Sequence, residues 1–223
     1  MLESTHKLIG FSLETEDGGI GKVQDFYFDD QNWNIRYLVV ETGNWLFGRK
    51  VLISPYSVQG ISVENKTLRV NMSREQVKSS PTIDTDRPVS KQLEKKLNDY
   101  YAWPYYGSAG MGFPTTGMVK VARTVESDAD ENTADQHLRS YKHVRDYKVY
   151  NPNGFLGETA DFLVSTTQWT LPYLLVETDE TRPGEMIAIP TNKIGSIDFS
   201  TYAVSVTLNT AEIDRLSDIN LNS

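Results

Sequence analysis

The chain has 223 residues, no cysteine, 39% hydrophobic and 23% charged side chains, and a net charge of −8. That balance fits a globular protein of one large or two small domains, and it excludes disulfides, thiolate metal sites and cysteine nucleophiles. No segment is basic: residues 1–80, 81–137 and 138–223 carry −1, −3 and −4, so the electrostatic footprint of a nucleic-acid binder is missing. No stretch approaches the ~20 apolar residues that span a bilayer, and the start, MLESTHKLIG, has no apolar core of signal-peptide length. The expected location is the cytoplasm, with no transmembrane segment.

From the N-terminus the pattern is β. Leu8–Leu13 is a short apolar stretch ending at the turn signal Glu16-Asp17-Gly18-Gly19. Ile20, Val23, Phe26 and Phe28 follow, then a polar turn at 29–32 and the apolar strand Ile35–Glu41. Val51–Ile53 closes at Pro55, and Ile61 and Val63 lead through Glu64-Asn65-Lys66 to the alternating Leu68, Val70 and Met72. Short strands with turn signals every ~8–12 residues predict a small antiparallel barrel or sandwich. Ser73-Arg74-Glu75-Gln76 predicts a capping box opening a short helix.

Residues 81–137 differ in character. Ser80-Pro81 and Arg87-Pro88 break regular structure. Leu93, Leu97 and Tyr100 then recur at helical spacing behind Ser90, predicting a helix near 90–101. Five aromatics follow within seven residues: Tyr100, Tyr101, Trp103, Tyr105 and Tyr106. Such side chains combine apolar area with a polar tip, so this segment is the candidate contact for a partner or ligand. The alternative is that it packs on its own barrels. No Lys or Arg lies between Lys96 and Lys120, which argues against stacking on single-stranded nucleic acid. The acidic run 126–135 reads as a loop.

After 137 the first pattern returns. Residues 17–42 reappear 136 positions later at 153–178, with ten of 26 positions identical: Gly18/Gly154, Gly21/Gly157, Asp25/Asp161, Phe26/Phe162, Trp33/Trp169, Tyr37/Tyr173, Leu38/Leu174, Val40/Val176, Glu41/Glu177 and Thr42/Thr178. Roughly one or two identities would arise by chance. Asn209-Thr210-Ala211-Glu212 supplies a second capping box. The prediction is a mainly β chain: two tandem small antiparallel β-barrels, residues 1–80 and 138–223, each ending in a short helix and joined by a partly helical, aromatic-rich linker, 81–137.

Candidate chemistry is sparse. His6, His137 and His143 adjoin no Gly-x-Ser-x-Gly elbow, so no catalytic residue is assigned. Asp25, Asp29 and Asp30 lack calcium-loop spacing. Asp25 and Asp161 read as bonding turn backbone, and Asp29 and Asp30 as making a hairpin turn. Gly19-x-Gly21 and Gly110-x-Gly112 are too short for a dinucleotide fingerprint and read as turn glycines of positive φ. Trp33 and Trp169 read as packing at the core or rim of each barrel. Neither a metal nor a cofactor is expected.

These motifs resemble the PRC-barrel family. They are Gly18–Phe26, Trp33–Gly43 and Gly48–Pro55, repeated at Gly154–Phe162 and Trp169–Thr178 with the lead-in His137-Leu138-Arg139-Ser140. The helix start at Met72-Ser73-Arg74-Glu75 and the Trp-Pro-Tyr-Tyr segment at 103–106 resemble soluble bacterial proteins related to the photosynthetic reaction-centre H subunit. The resemblance implies a docking module. In the H subunit the barrel packs on membrane subunits, and in a ribosome-maturation factor it binds a ribosomal protein. The chain shows neither a membrane anchor like the first nor a separate N-terminal domain like the second. A non-enzymatic interaction or adaptor module is therefore expected, with a protein partner, such as a membrane-associated complex, or a second copy of the chain. The rival expectation is a small-molecule or quinone-type binding protein whose site lies between the barrels.

Overall fold

In the computed structural model, residues 1–81, 91–103, 137–178 and 185–216 are described, apart from the side chains of Trp45 and residues 91–94. The first copy contains β1 (Leu2–Ser4), α1 (Thr5–Leu8), β2 (Ser12–Thr15), β3 (Gly18–Asp29), β4 (Ile35–Glu41), β5 (Lys50–Ile53), β6 (Val58–Ser62), β7 (Thr67–Val70) and α2 (Arg74–Lys78). Helix α3 (Lys91–Tyr101) stands between the copies. The second copy contains β8 (Leu138–Ser140), α4 (Tyr141–Val144), β9 (Lys148–Asn151), β10 (Gly154–Ser165), β11 (Thr170–Thr178), β12 (Met186–Pro190), β13 (Ile194–Asp198), β14 (Ala203–Val206) and α5 (Thr210–Leu216). No described helix is long and apolar enough to cross a membrane.

The strand order is the same in both copies, β5-β4-β3-β2-β7-β6 and β12-β11-β10-β9-β14-β13. The chain is thus mainly β with a repeated topology. Two features depart from the predicted antiparallel barrels. Each sheet contains one parallel pair, β2 with β7 and β9 with β14. Among the described residues neither hydrogen-bond ladder closes into a ring.

The two sheets are also not separate. Each has seven strands, and the seventh comes from the other copy. β8 pairs with β3, setting Tyr27 opposite Ser140 and Asp29 opposite Leu138. β1 pairs with β10, setting Ser4 opposite Leu163 and Leu2 opposite Ser165. The cause is a mismatch of lengths. The 12-residue β3 is paired by β4 along one edge, but on its other edge the four-residue β2 reaches only Gly18–Lys22. Residues 27–29 would be left with unpaired N–H and C=O groups, which are costly when buried and prone to stray pairing when exposed. The exchanged strand covers that overhang. β10 and β9 repeat the mismatch and β1 covers it.

The repeated glycines follow from the same ladders. Gly18 and Gly154 begin their strands at φ +130° and +134°, where Cβ-bearing residues are strained. Gly21 is not the predicted turn residue. It lies inside β3, and a Cβ there would fall 1.9 Å from the Glu41 carbonyl oxygen; at Gly157 the distance to the Glu177 oxygen is 2.1 Å. These glycines allow close backbone approach within the β3/β4 and β10/β11 pairs. Thr42 and Thr178 stand opposite these glycines at the same end of the pairs, each bonding one carbonyl with both its N–H and its hydroxyl: Arg49 in the first copy, Glu185 in the second.

One contiguous core serves both copies. Phe28 and Trp33 of the first copy pack on Phe162 of the second, with ring centroids 5.3 and 6.2 Å apart. The predicted end helices are present. Ser73 and Gln76 form a reciprocal capping box, as do Asn209 and Glu212.

Candidate functional site

The junction between the copies is built on Asp25 and Asp161. Each sits at a bulge, where β3 and β10 shift register between Val23 and Asp25 and between Thr159 and Asp161. A bulge re-aims a side chain, and here both carboxylates turn to the other copy's exchanged segment. Asp25 accepts from Ser140 Oγ at 2.6 Å and from the Lys142 N–H at 3.1 Å. Asp161 accepts from Ser4 Oγ and from the His6 N–H at 3.1 Å. Each also accepts from the N–H of the phenylalanine that follows it, at 2.8 Å. The predicted role, bonding backbone, is right in kind, but the bonded segment belongs to the other copy. Ser4 and Ser140 are themselves the N-caps of α1 and α4, so each aspartate holds its partner's cap.

The two carboxylates differ in one donor. The Tyr141 hydroxyl reaches Asp161 at 3.0 Å. The equivalent residue in the first copy, Thr5, bonds the Phe162 carbonyl instead. Burial pushes the Asp25 carboxyl above its ordinary value, outweighing the hydrogen bonds from Ser140, Lys142 and Phe26 that pull it down. Burial also raises the Tyr141 hydroxyl, helped by the neighbouring Asp161 charge.

A cleft of about 220 Å3 opens at this junction, lined by Asp25, Tyr27, Lys50, Ser140, Lys142 and His143 among others. At the matching places in the second copy, Tyr27 and Lys50 are replaced by Leu163 and Met186. Further out, Asp30 lies in the predicted turn, but its side chain serves the other copy. It accepts from Arg139 Nε at 2.5 Å and bonds His137 Nδ1 at 2.9 Å, anchoring the exchanged β8. Asp29 does hold the turn, accepting from the N–H groups of Gln31 and Asn32, and it pairs with Arg36 at 3.5 Å. Among the described residues no group of three or more His, Cys, Asp or Glu converges as a metal site would require.

The linker aromatics lie elsewhere. Trp103 is buried on the first copy, where its indole N–H donates to Ser57 Oγ at 2.8 Å. Tyr101 stacks on it with centroids 4.2 Å apart, and burial pushes the Tyr101 hydroxyl up to about 12. Tyr100 meets Tyr101 edge-on and donates to the Gln76 carbonyl, closing α3 onto α2. So three of the five predicted contact residues pack on the first copy itself. Tyr105 and Tyr106, like Gly110-x-Gly112 and the acidic run 126–135, lie outside the described residues. The exchange is the feature sequence reasoning missed. Its trace was the repeated Leu-x-Ser of Leu2–Ser4 and Leu138–Ser140, each ahead of an aspartate that also repeats.

A surface feature stands out beside these. Phe47 is 97% exposed and holds a left-handed backbone, φ +55°, which is uncommon for a bulky residue. Its loop is tied by the Gly48 N–H to the Gly43 carbonyl at 2.7 Å and by the Arg49 N–H to the Leu46 carbonyl at 3.1 Å.

No curated protein matches the chain. Residues 2–77 match the family model described as the PRC-barrel domain. That span holds the first copy from β1 into α2, and the second copy repeats its strand order. Residues 2–77, the first copy, are thus a PRC-barrel domain.

Proposed function

We propose that the protein is a non-enzymatic docking module that presents a PRC-barrel scaffold to a protein partner, such as a membrane-associated complex. The observation that carries this reading is Phe47. A phenyl ring held in solvent on a left-handed backbone forgoes the stabilisation that burial would give and carries a backbone cost. Among the described residues nothing covers the ring, whereas insertion into a partner's apolar pocket would supply that burial. Two further features support the reading. Phe28, Trp33 and Phe162 fill part of the space between the copies, and the two junction aspartates are occupied in holding caps. The test is affinity capture with the wild-type chain and Phe47→Ser, followed by binding of the purified captured protein. Loss of direct binding in a folded Phe47→Ser variant is expected. Equal binding by both chains would contradict this role for Phe47.

The cleft favours a second reading, a small-molecule binding protein. Its lining of Asp25, Lys50, Lys142 and His143 suits a small polar ligand better than a quinone, and Trp103 is not among the lining residues. A polar-metabolite screen by NMR, scored on the Lys142 and His143 amide signals, tests it; shifts abolished by Lys142→Ala would favour this reading over docking.

A further inference from the structure

The exchange defines a recognition surface and the segment that fits it. The surface is the overhanging edge of the long strand, residues 27–29 of β3 or 163–165 of β10, together with the aspartate at the neighbouring bulge. The segment is a short strand, a Ser N-cap and one helical turn, written Leu2-Glu3-Ser4-Thr5-His6-Lys7-Leu8 in one copy and Leu138-Arg139-Ser140-Tyr141-Lys142-His143-Val144 in the other. Both surfaces bind by the same three elements: three-residue antiparallel pairing, a serine hydroxyl donated to the aspartate, and an N–H donated to it from the residue two beyond the serine.

None of these contacts depends on which chain supplies the segment. β1 leads directly into α1 at the N-terminal end of the chain, and β8 follows residues 104–136. The same pairing therefore forms whether the second copy belongs to the same polypeptide or to another. Within one polypeptide the connection raises the effective concentration of the partner copy. Exchange of identical elements between protomers needs no new interface.

We propose that this surface also recognises the strand–serine–helix segment of a second copy of the chain, so that separate chains join by the exchange that joins the two copies within one. The partner is defined by chemistry: an edge of three extended residues, a hydroxyl donor at its end, and one N–H of the helical turn behind it aimed at the aspartate. Hetero-pairing follows as a consequence for any chain that carries the same segment.

The absence of cysteine from the sequence makes the test direct. Leu2 lies opposite Ser165 across the β1/β10 pair. A full-length Leu2→Cys chain and a full-length Ser165→Cys chain are unfolded together, refolded at concentrations from about 10 μM to about 1 mM so that intermolecular pairing can compete with intramolecular pairing, and oxidised. Neither chain can form this disulfide within itself. The expected result is a mixed disulfide dimer that grows with concentration to many times the yield from Leu2→Cys paired with Asn65→Cys, a turn position away from the edge. The double variant Leu2→Cys/Ser165→Cys should crosslink within the monomer at low concentration, which establishes that the pair can bridge. Mixed dimer at or below the Asn65→Cys background throughout, while the double variant bridges, overturns the proposal. Failure of the double variant to bridge overturns the pairing on which it rests.

Discussion

Trp33 and Trp169 sit at two hairpin tips joined by reciprocal backbone hydrogen bonds. The Trp169 carbonyl accepts from the Ile35 N–H and the Trp33 carbonyl accepts from the Leu171 N–H, each at 2.7 Å. Both tryptophans are left-handed, at φ 57° and 53°. Each donates its own N–H back four residues, to Asp29 and to Ser165. Asn34 and Thr170 bridge between the two hairpin tips. The pair marks a local pseudo-twofold relation, and the strand exchange on either side obeys it.

Trp169→Ala should therefore weaken the whole described body, not the second copy alone. The ring is 4% exposed, and truncating a buried tryptophan costs about 3–5 kcal/mol. Trp33 is half-buried and packs on Phe28 and Phe162, so Trp33→Ala should cost less. Urea unfolding followed at probes in each copy should show one shared transition in both variants. Two transitions, with only one displaced, would mean independent units.

Asp161→Ala should be more damaging than its surface-like residue type suggests. It strips partners from Ser4 Oγ, the His6 and Phe162 N–H groups and the Tyr141 hydroxyl, and each buried donor left unpaired costs about 1–3 kcal/mol. Chemical denaturation should report a loss of several kcal/mol.

Asp25 should titrate above 3.8, while Asp17 and Asp198 titrate below it, as side-chain hydroxyls and backbone N–H groups hold their charged forms. Carboxyl carbon NMR measures all three. The sign for stability follows from Asp25's raised value. Between its unfolded and folded midpoints the folded state binds more protons, so this group's contribution falls as pH rises through that window and is greatest below it. Asp25→Asn should remove that dependence, and a variant with an unchanged acid limb would contradict the assignment.

Gly21→Ala should disrupt the β3/β4 pair, because the new methyl carbon meets the Glu41 carbonyl. A loss well above the ~1 kcal/mol scale of backbone preference alone is expected. Gly60→Ala has open space at its Cβ and should stay within about ±0.5 kcal/mol. Thermal unfolding of the two variants side by side separates steric contact from glycine entropy.

The repeated topology was legible because it is written locally. Alternation at Leu68, Val70 and Met72 and the Ser73–Gln76 box each fix an element within a few residues. The exchange was not legible, because a three-residue strand such as Leu2–Ser4 has no periodicity of its own; it forms only where β10 overruns β9. Gly21 was misread for a related reason: a glycine that admits a neighbouring carbonyl looks, in sequence, like one that turns the chain. Trp103 reads in sequence as a contact for a partner or ligand, with packing on its own barrels as the alternative; its actual site beside Ser57 depends on where α3 lands, which no spacing encodes. Phe47 was passed over because exposure belongs to the fold, not to the residue.

The reciprocal exchange is tested most directly by cutting the chain. A protease site placed after Gly117, followed by complete cleavage, leaves two fragments joined only by non-covalent contacts. The account predicts that they stay together in gel filtration and native mass spectrometry as one particle of about the intact mass, 25.2 kDa, and that unfolding becomes dependent on protein concentration. Separation into two fragments that each unfold cooperatively by themselves would contradict it.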